Sequence, residues 1–178
     1  MQYVAFLRGI NVGGNALIKM ADLRDVLSAD LQNVRTYIQS GNVLFEADSS
    51  DKKQLARMFS DSINKHFKLK VEGAIFTSAE WRKVIAAAPD WWGKDTTWKH
   101  NILIMIEPFN MADVVEAYGE LKPEIEALKP GVGVLYQSLS FDKFGRTTGG
   151  KLASNPIYKK MTVRNFNTAN KILNLLDA

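Results

Sequence analysis

The chain has 178 residues, 46% of them hydrophobic and 24% charged. That is enough apolar side chain for one large folded core or two small ones, and it excludes a disordered polymer. There is no Cys, which excludes disulfides, thiolate metal sites and Cys nucleophiles. The net charge is +4, with +2 on residues 1–77, −3 on 78–130 and +5 on 131–178, so the basic character collects in the last quarter. Such a tail draws phosphate or nucleic acid, or serves solubility alone.

Taken in order, Tyr3-Val4-Ala5-Phe6-Leu7 is an apolar run that reads as a buried first strand. It ends in Arg8-Gly9-Ile10-Asn11-Val12-Gly13-Gly14, a turn that can aim several N–H groups at one point beside Arg8. A helix follows, with Met20, Leu23, Val26, Leu27 and Leu31 on one face. Val34 to Gln39 and Val43 to Glu46 form a hairpin around Gly41-Asn42, two positions suited to positive φ. Asp51 and Gln54 are spaced to cap the next helix reciprocally. That helix carries Leu55, Met58, Phe59, Ile63 and Phe67, and a strand over Val71–Phe76 closes the order βαββαβ.

Thr77 and Glu80 make a second capping box, and Trp81, Val84, Ile85 and Ala88 line the helix it starts. Trp91, Trp92 and Trp98 fall in the loop that follows. They carry too much apolar area to stay wet, so they cover a seam between two halves or offer a platform for stacked bases. Asn101 to Ile106 opens a second half. The pattern then predicts a helix from Met111 to about Leu128 with Pro123 splitting it. Strands over Val132–Ser138 and Leu139–Phe144 come next, then a helix over Lys151–Met161 with Pro156 near its middle or in its first turn. Thr162-Val163-Arg164 is a short strand and Ile172, Leu173 and Leu176 mark a last helix. The expected fold is α+β: two ferredoxin-like βαββαβ subdomains, residues 1–77 and 100–178, joined by a bridging helix and Trp-rich loop over 78–99, with a C-terminal helix.

Chemistry is carried by loops rather than by catalytic pairs. Gly145-Arg146-Thr147-Thr148-Gly149-Gly150-Lys151 has the spacing of a P-loop, but Leu152 stands where Mg²⁺ needs Ser or Thr, and the preceding strands read as antiparallel. A nucleotidase is therefore rejected. What survives is a Gly-rich basic loop ahead of a helix, suited to an anion or merely flexible. Arg164 at the end of a strand could fork onto a phosphate or carboxylate, and Asn167 or Thr168 is a natural N-cap. The two His, His66 and His100, show no catalytic or metal spacing, and the acidic residues scatter over helix faces. No cofactor or metal is expected. Ser40 as a nucleophile lacks a base.

Together, Leu7–Gly14, Tyr37–Val43, Lys151-Leu152 and Arg164–Thr168 closely resemble the bacterial domain-of-unknown-function family 1697 over nearly the whole chain. The resemblance implies two ferredoxin-like subdomains and no established activity. It also implies Trp where Phe166 stands and Ser where Gly150 stands. The second departure counts against a Ser-dependent mechanism at that loop. The expected site is a set of anion-binding residues, Arg8, Asn11, Gly13, Gly14, Arg146, Lys151, Arg164, Asn165 and Asn167, with Arg8, Asn11, Arg146, Lys151 and Arg164 meeting in one cleft between the halves.

The best functional expectation is a phosphate-recognising protein for nucleic acid or a phosphorylated metabolite. The alternatives are a transferase or hydrolase on such a metabolite, or a protein-interaction scaffold. For RNA binding by an exposed sheet, Gly41 to Phe45 offers one ring, Phe45, where several are the rule. No apolar run approaches the ~20 residues of a membrane span, and the chain opens directly in a strand. The expectation is a cytoplasmic protein with no membrane partner, a monomer being favoured.

Overall fold

The computed structural model describes residues 1–12 and 17–178. The chain divides into two units, one of residues 1–82 with 172–178, the other of residues 83–171.

In the first unit the order is β1 (Gln2–Leu7), α1 (Met20–Leu27), β2 (Gln32–Tyr37), β3 (Asn42–Glu46), α2 (Lys52–Phe67) and β4 (Gly73–Thr77). Its sheet is antiparallel with strand order β2-β3-β1-β4, the ferredoxin-like arrangement. Alternation along β1 sends Tyr3, Ala5 and Leu7 to the helical side, where they pack with Leu23, Leu27, Phe59 and Ile63. Phe45 lies in that core, stacked on Tyr3 at 5.3 Å and tilted against Phe59 at 5.1 Å. Its ring is therefore spent inside the protein and offers no face to a base. The opposite side of β1 places Phe6 against Phe76 and the fully buried Trp81 of α3 (Ser78–Ala86).

Two helix starts behave differently. The Thr77–Glu80 box closes in both directions: Thr77 N donates to Glu80 Oε2 at 2.8 Å and Glu80 N to Thr77 Oγ1 at 3.1 Å. Burial pushes the Glu80 carboxyl up, but bonds from Lys52 Nζ and Thr77 N overrule it and the net shift is downward. Thr77→Ala is expected to cost about 1 kcal/mol in chemical denaturation, the usual worth of an N-cap. At α2, Asp51 accepts from Lys53 N and Gln54 N, but Gln54 does not reach back to Asp51. The return bond comes from Ser49, whose Oγ accepts from Asp51 N and binds Gln54 Oε1.

The β2–β3 turn also departs from expectation. Tyr37 pairs with Asn42, and positive φ falls on Ile38 and Gly41. Asn42 is instead a buried strand residue, its Nδ2 donating to Tyr37 O and Ser40 Oγ.

In the second unit the order is β5 (Trp98–Met105), α4 (Met111–Tyr118), β6 (Glu126–Gly131), β7 (Val134–Ser140), α5 (Thr148–Lys151) and β8 (Met161–Asn165), followed by the start of α6 (Phe166–Leu176), whose residues from 172 on count with the first unit. The sheet order β6-β7-β5-β8 repeats the first. Three expectations fail here. The helix over 111–128 stops at Tyr118, because Gly119 at φ +92 ends it and Pro123 lies just beyond. Residues 126–131 form an edge strand, where Pro130 is tolerated. The hairpin turns at Val132-Gly133, so residues 134–140 are one strand and 141–144 leave the sheet. The helix over 151–161 is a four-residue α5 followed by 3₁₀ turns over Leu152–Ser154 and Pro156–Lys160. Pro156 does sit in a first turn, capped by Asn155.

Trp98 belongs to β5 rather than to a loop. Trp92 is buried within the second unit, its Nε1 donating to Asn101 O at 2.8 Å and its ring meeting Tyr136 and Phe166 edge-on. That indole completes the core of its own unit. Among the described residues no helix is long and apolar enough to cross a membrane.

Candidate functional site

The expected site residues fall in both units, Arg8 and Asn11 in the first and Arg146, Lys151, Arg164, Asn165 and Asn167 in the second. Gly13 and Gly14 lie outside the described residues.

In the first unit, three backbone segments come together at the end of β1. Leu7 N donates to Gly41 O and Arg8 N to Glu72 O, both at 2.8 Å. Gly9 and Asn11 take positive φ, which turns Ile10 back into the core. Asn11 then acts as a brace. Its Nδ2 donates to Ile18 O and Gln39 O, and its Oδ1 accepts from Ile18 N at 2.7 Å. Its side chain therefore ties the turn to its neighbours and has little left for a ligand. Arg8 is different. It is half-buried, its Nε is shut away from water, and that Nε has no hydrogen-bond partner among the described residues. None of the ion pairs among the described residues involves Arg8.

In the second unit, the Gly-rich loop does bind an anion, but one supplied by the chain. Glu126, 1% exposed at the start of β6, accepts from Thr148 N at 3.0 Å and Lys122 N at 3.1 Å through Oε1. Its Oε2 accepts from Gly149 N at 3.0 Å. Burial pushes the Glu126 carboxyl up. The three backbone donors more than reverse this, and the net value lies below the ordinary 4.5. Further ties run from Lys122 Nζ to Arg146 O and from Thr148 Oγ1 to Glu120 O. The backbone donors that the P-loop-like spacing suggested for phosphate are thus occupied, while Arg146 and Lys151 remain exposed. A Cβ at Gly150 would overlap the Phe144 carbonyl oxygen, so this loop is closed in a form that excludes Ser there.

Arg164 and Asn165 are neighbours on β8 and so face opposite sides of the sheet. Arg164 pairs across from Ile102, and its Nη1 donates to Thr162 Oγ1 and Val163 O. It is 6% exposed, and burial pushes its guanidinium down to about 10. Asn165, not Asn167 or Thr168, caps α6, its Oδ1 accepting from Thr168 N at 2.8 Å. Asn167 is exposed in the first helical turn.

His100 has a partner that the sequence spacing does not betray. Its Nδ1 lies 2.6 Å from Ser138 Oγ, and its Nε2 lies 2.7 Å from Asp95 O. The carbonyl can only accept, so Nε2 carries a proton, and Nδ1 is joined to the Ser138 hydroxyl. Ser138 is only 2% exposed, so this pair braces β5 against β7 and the Asp95 turn. Among the described residues no group of His, Asp and Glu could hold a metal ion.

Two four-stranded βαββαβ sheets with polar loops at the strand ends define a tandem ferredoxin-like protein. The chain belongs to the family described as protein of unknown function (DUF1697), whose model matches residues 1–136. It is similar in structure to the conserved bacterial protein SP0830 from Streptococcus pneumoniae, with a TM-score of 0.89 and 27% identity over 99% of this chain and 98% of that one. Comparison with curated proteins gives no match.

Proposed function

We propose that the protein is a binding module for a phosphate-bearing ligand, free or as part of a nucleic acid, and that Arg8 is its principal contact. One observation carries this reading. Among the described residues, the buried Arg8 Nε has no acceptor and Arg8 has no carboxylate partner. A buried donor left unmade costs about 1–3 kcal/mol, more when charged. An internal ion pair would have removed that cost, and no described ion pair does so. A phosphate at the β1 turn would meet the guanidinium of this half-buried side chain, which can fork onto two oxygens at once. The +5 charge on residues 131–178 supplies long-range attraction for the same class of ligand.

The test compares wild type with Arg8→Ala by calorimetric titration of inorganic phosphate, pyrophosphate and single-stranded RNA at two salt concentrations. The expected result is binding that strengthens as salt falls, is lost in Arg8→Ala, and leaves the melting temperature nearly unchanged. Absence of binding at low salt in wild type overturns the proposal. So does destabilisation of Arg8→Ala by about 3 kcal/mol or more, the signature of a broken internal pair.

A further inference from the structure

The second unit has a half-open cavity of about 110 Å³ beside the Gly-rich loop. Strand alternation puts Lys99, Asn101 and Leu103 of β5 on one face. The register sets Gln137 of β7 beside Asn101 and Leu139 beside Lys99. These side chains form the sheet wall of the cavity, and Phe144, Gly149, Gly150 and Leu152 close it from the loop side.

The polar atoms of this wall are joined in a chain of hydrogen bonds that starts at Tyr118. Burial, with the nearby Glu126 charge, holds the Tyr118 hydroxyl protonated. Tyr118 Oη accepts from Gln137 Nε2 at 2.9 Å. Gln137 Oε1 then accepts from Asn101 Nδ2 at 3.0 Å. Each bond fixes the orientation of the next amide. The chain of bonds ends with Asn101 Oδ1, an acceptor that takes no hydrogen bond among the described residues, in a side chain that lines the cavity.

The cavity also has a cation of its own. Lys99 Nζ sits 5.1 Å from the centre of the Phe144 ring, and none of the ion pairs among the described residues uses it. Lys99 is exposed, so this charge stands at the opening. Lys99 and Asn101 are about 7 Å apart along the strand, and the long Lys99 side chain can carry its ammonium well beyond that. The volume is on the order of that which takes one small ring, and Leu103, Leu139 and Leu152 supply an apolar lining.

We propose that this cavity binds a small carboxylate with a single-ring or branched apolar body and a hydroxyl or N–H group opposite the acid. Lys99 takes the carboxylate, Asn101 Oδ1 accepts from the donor group, and the leucines cover the body. Inorganic phosphate lacks the apolar body, so this site is separate from the one proposed at Arg8.

The experiment follows backbone and side-chain amide shifts of the ¹⁵N-labelled full chain during titration with 4-hydroxybenzoate. Benzoate, which lacks the donor, and 4-hydroxybenzamide, which lacks the charge, are titrated in parallel. The expected result is saturable movement of the Gly149, Gly150 and Asn101 signals with 4-hydroxybenzoate. Benzoate should bind about tenfold more weakly, as should 4-hydroxybenzoate to Lys99→Met, the loss of one good polar contact in each case. Lys99 is exposed, so the unmoved remainder of the spectrum reports an intact fold. Arg8→Ala should leave these shifts as they are. The proposal is overturned if those signals do not move at millimolar probe, or if Lys99→Met or the neutral amide binds as well as the parent pair.

Discussion

Replacing Glu126 with Ala is expected to destabilise the second unit by on the order of 3 kcal/mol, the largest effect of any single carboxylate in that unit. The carboxylate accepts from Lys122 N, Thr148 N and Gly149 N, and all three donors lose their partner at once. The pH dependence follows from the sign of the shift. Its folded value lies below the ordinary 4.5. The ionised form therefore contributes stability that is fully present above that value and is lost as pH falls through the folded one. Urea unfolding of wild type and Glu126→Ala should differ by a constant amount above about pH 5 and converge at more acid pH. A difference that stays constant down to pH 3 would show that the ionised carboxylate is not what holds the loop.

Gly93→Ala is the second large effect, with an expected loss of about 3 kcal/mol or more. Two costs combine. Gly93 has φ +89, a conformation that a Cβ disfavours. The added methyl would also sit inside the Phe166 ring. That ring cannot easily swing away, because Trp92 packs edge-on against it at 4.8 Å and His100 lies at 6.4 Å. Gly145→Ala is the matched control. A Cβ there meets nothing within 4 Å and φ is not positive, so its effect should stay within about 0.5 kcal/mol. Thermal unfolding of the two variants checks both, and equal losses would reject the Phe166 contact as the cause.

Much of the architecture is legible from local pattern. The period of two in β1 and of 3.6 in α2 reports which face each element buries, because burial is periodic along any regular element. The Thr77–Glu80 box forms as its spacing requires, since both partners lie within one helical turn. The order βαββαβ, read twice, leads to two sheets of the same strand order for the same reason: each sheet face needs a helical layer over it.

What the tertiary structure decided lies where a residue's partner is far away in sequence. Glu126 resembles any other acidic residue of an amphipathic pattern, and only the loop 22 residues later makes it a buried anion. The same contact turns a P-loop-like string into an internally capped loop, because a carboxylate already fills the place a phosphate would take. Asn11 and Asn165 were legible as residues of chemical interest, but their amides are consumed in bracing and capping, bonds that depend on the exact course of the backbone. Lys99, Asn101 and Gln137 gave only a weak signal, polar residues alternating within apolar strands, and strand register alone brings them to one wall. Arg8 is the converse case. Its glycine-rich setting marks it in the sequence, and only the packed structure reveals a guanidinium nitrogen held without a partner among the described residues.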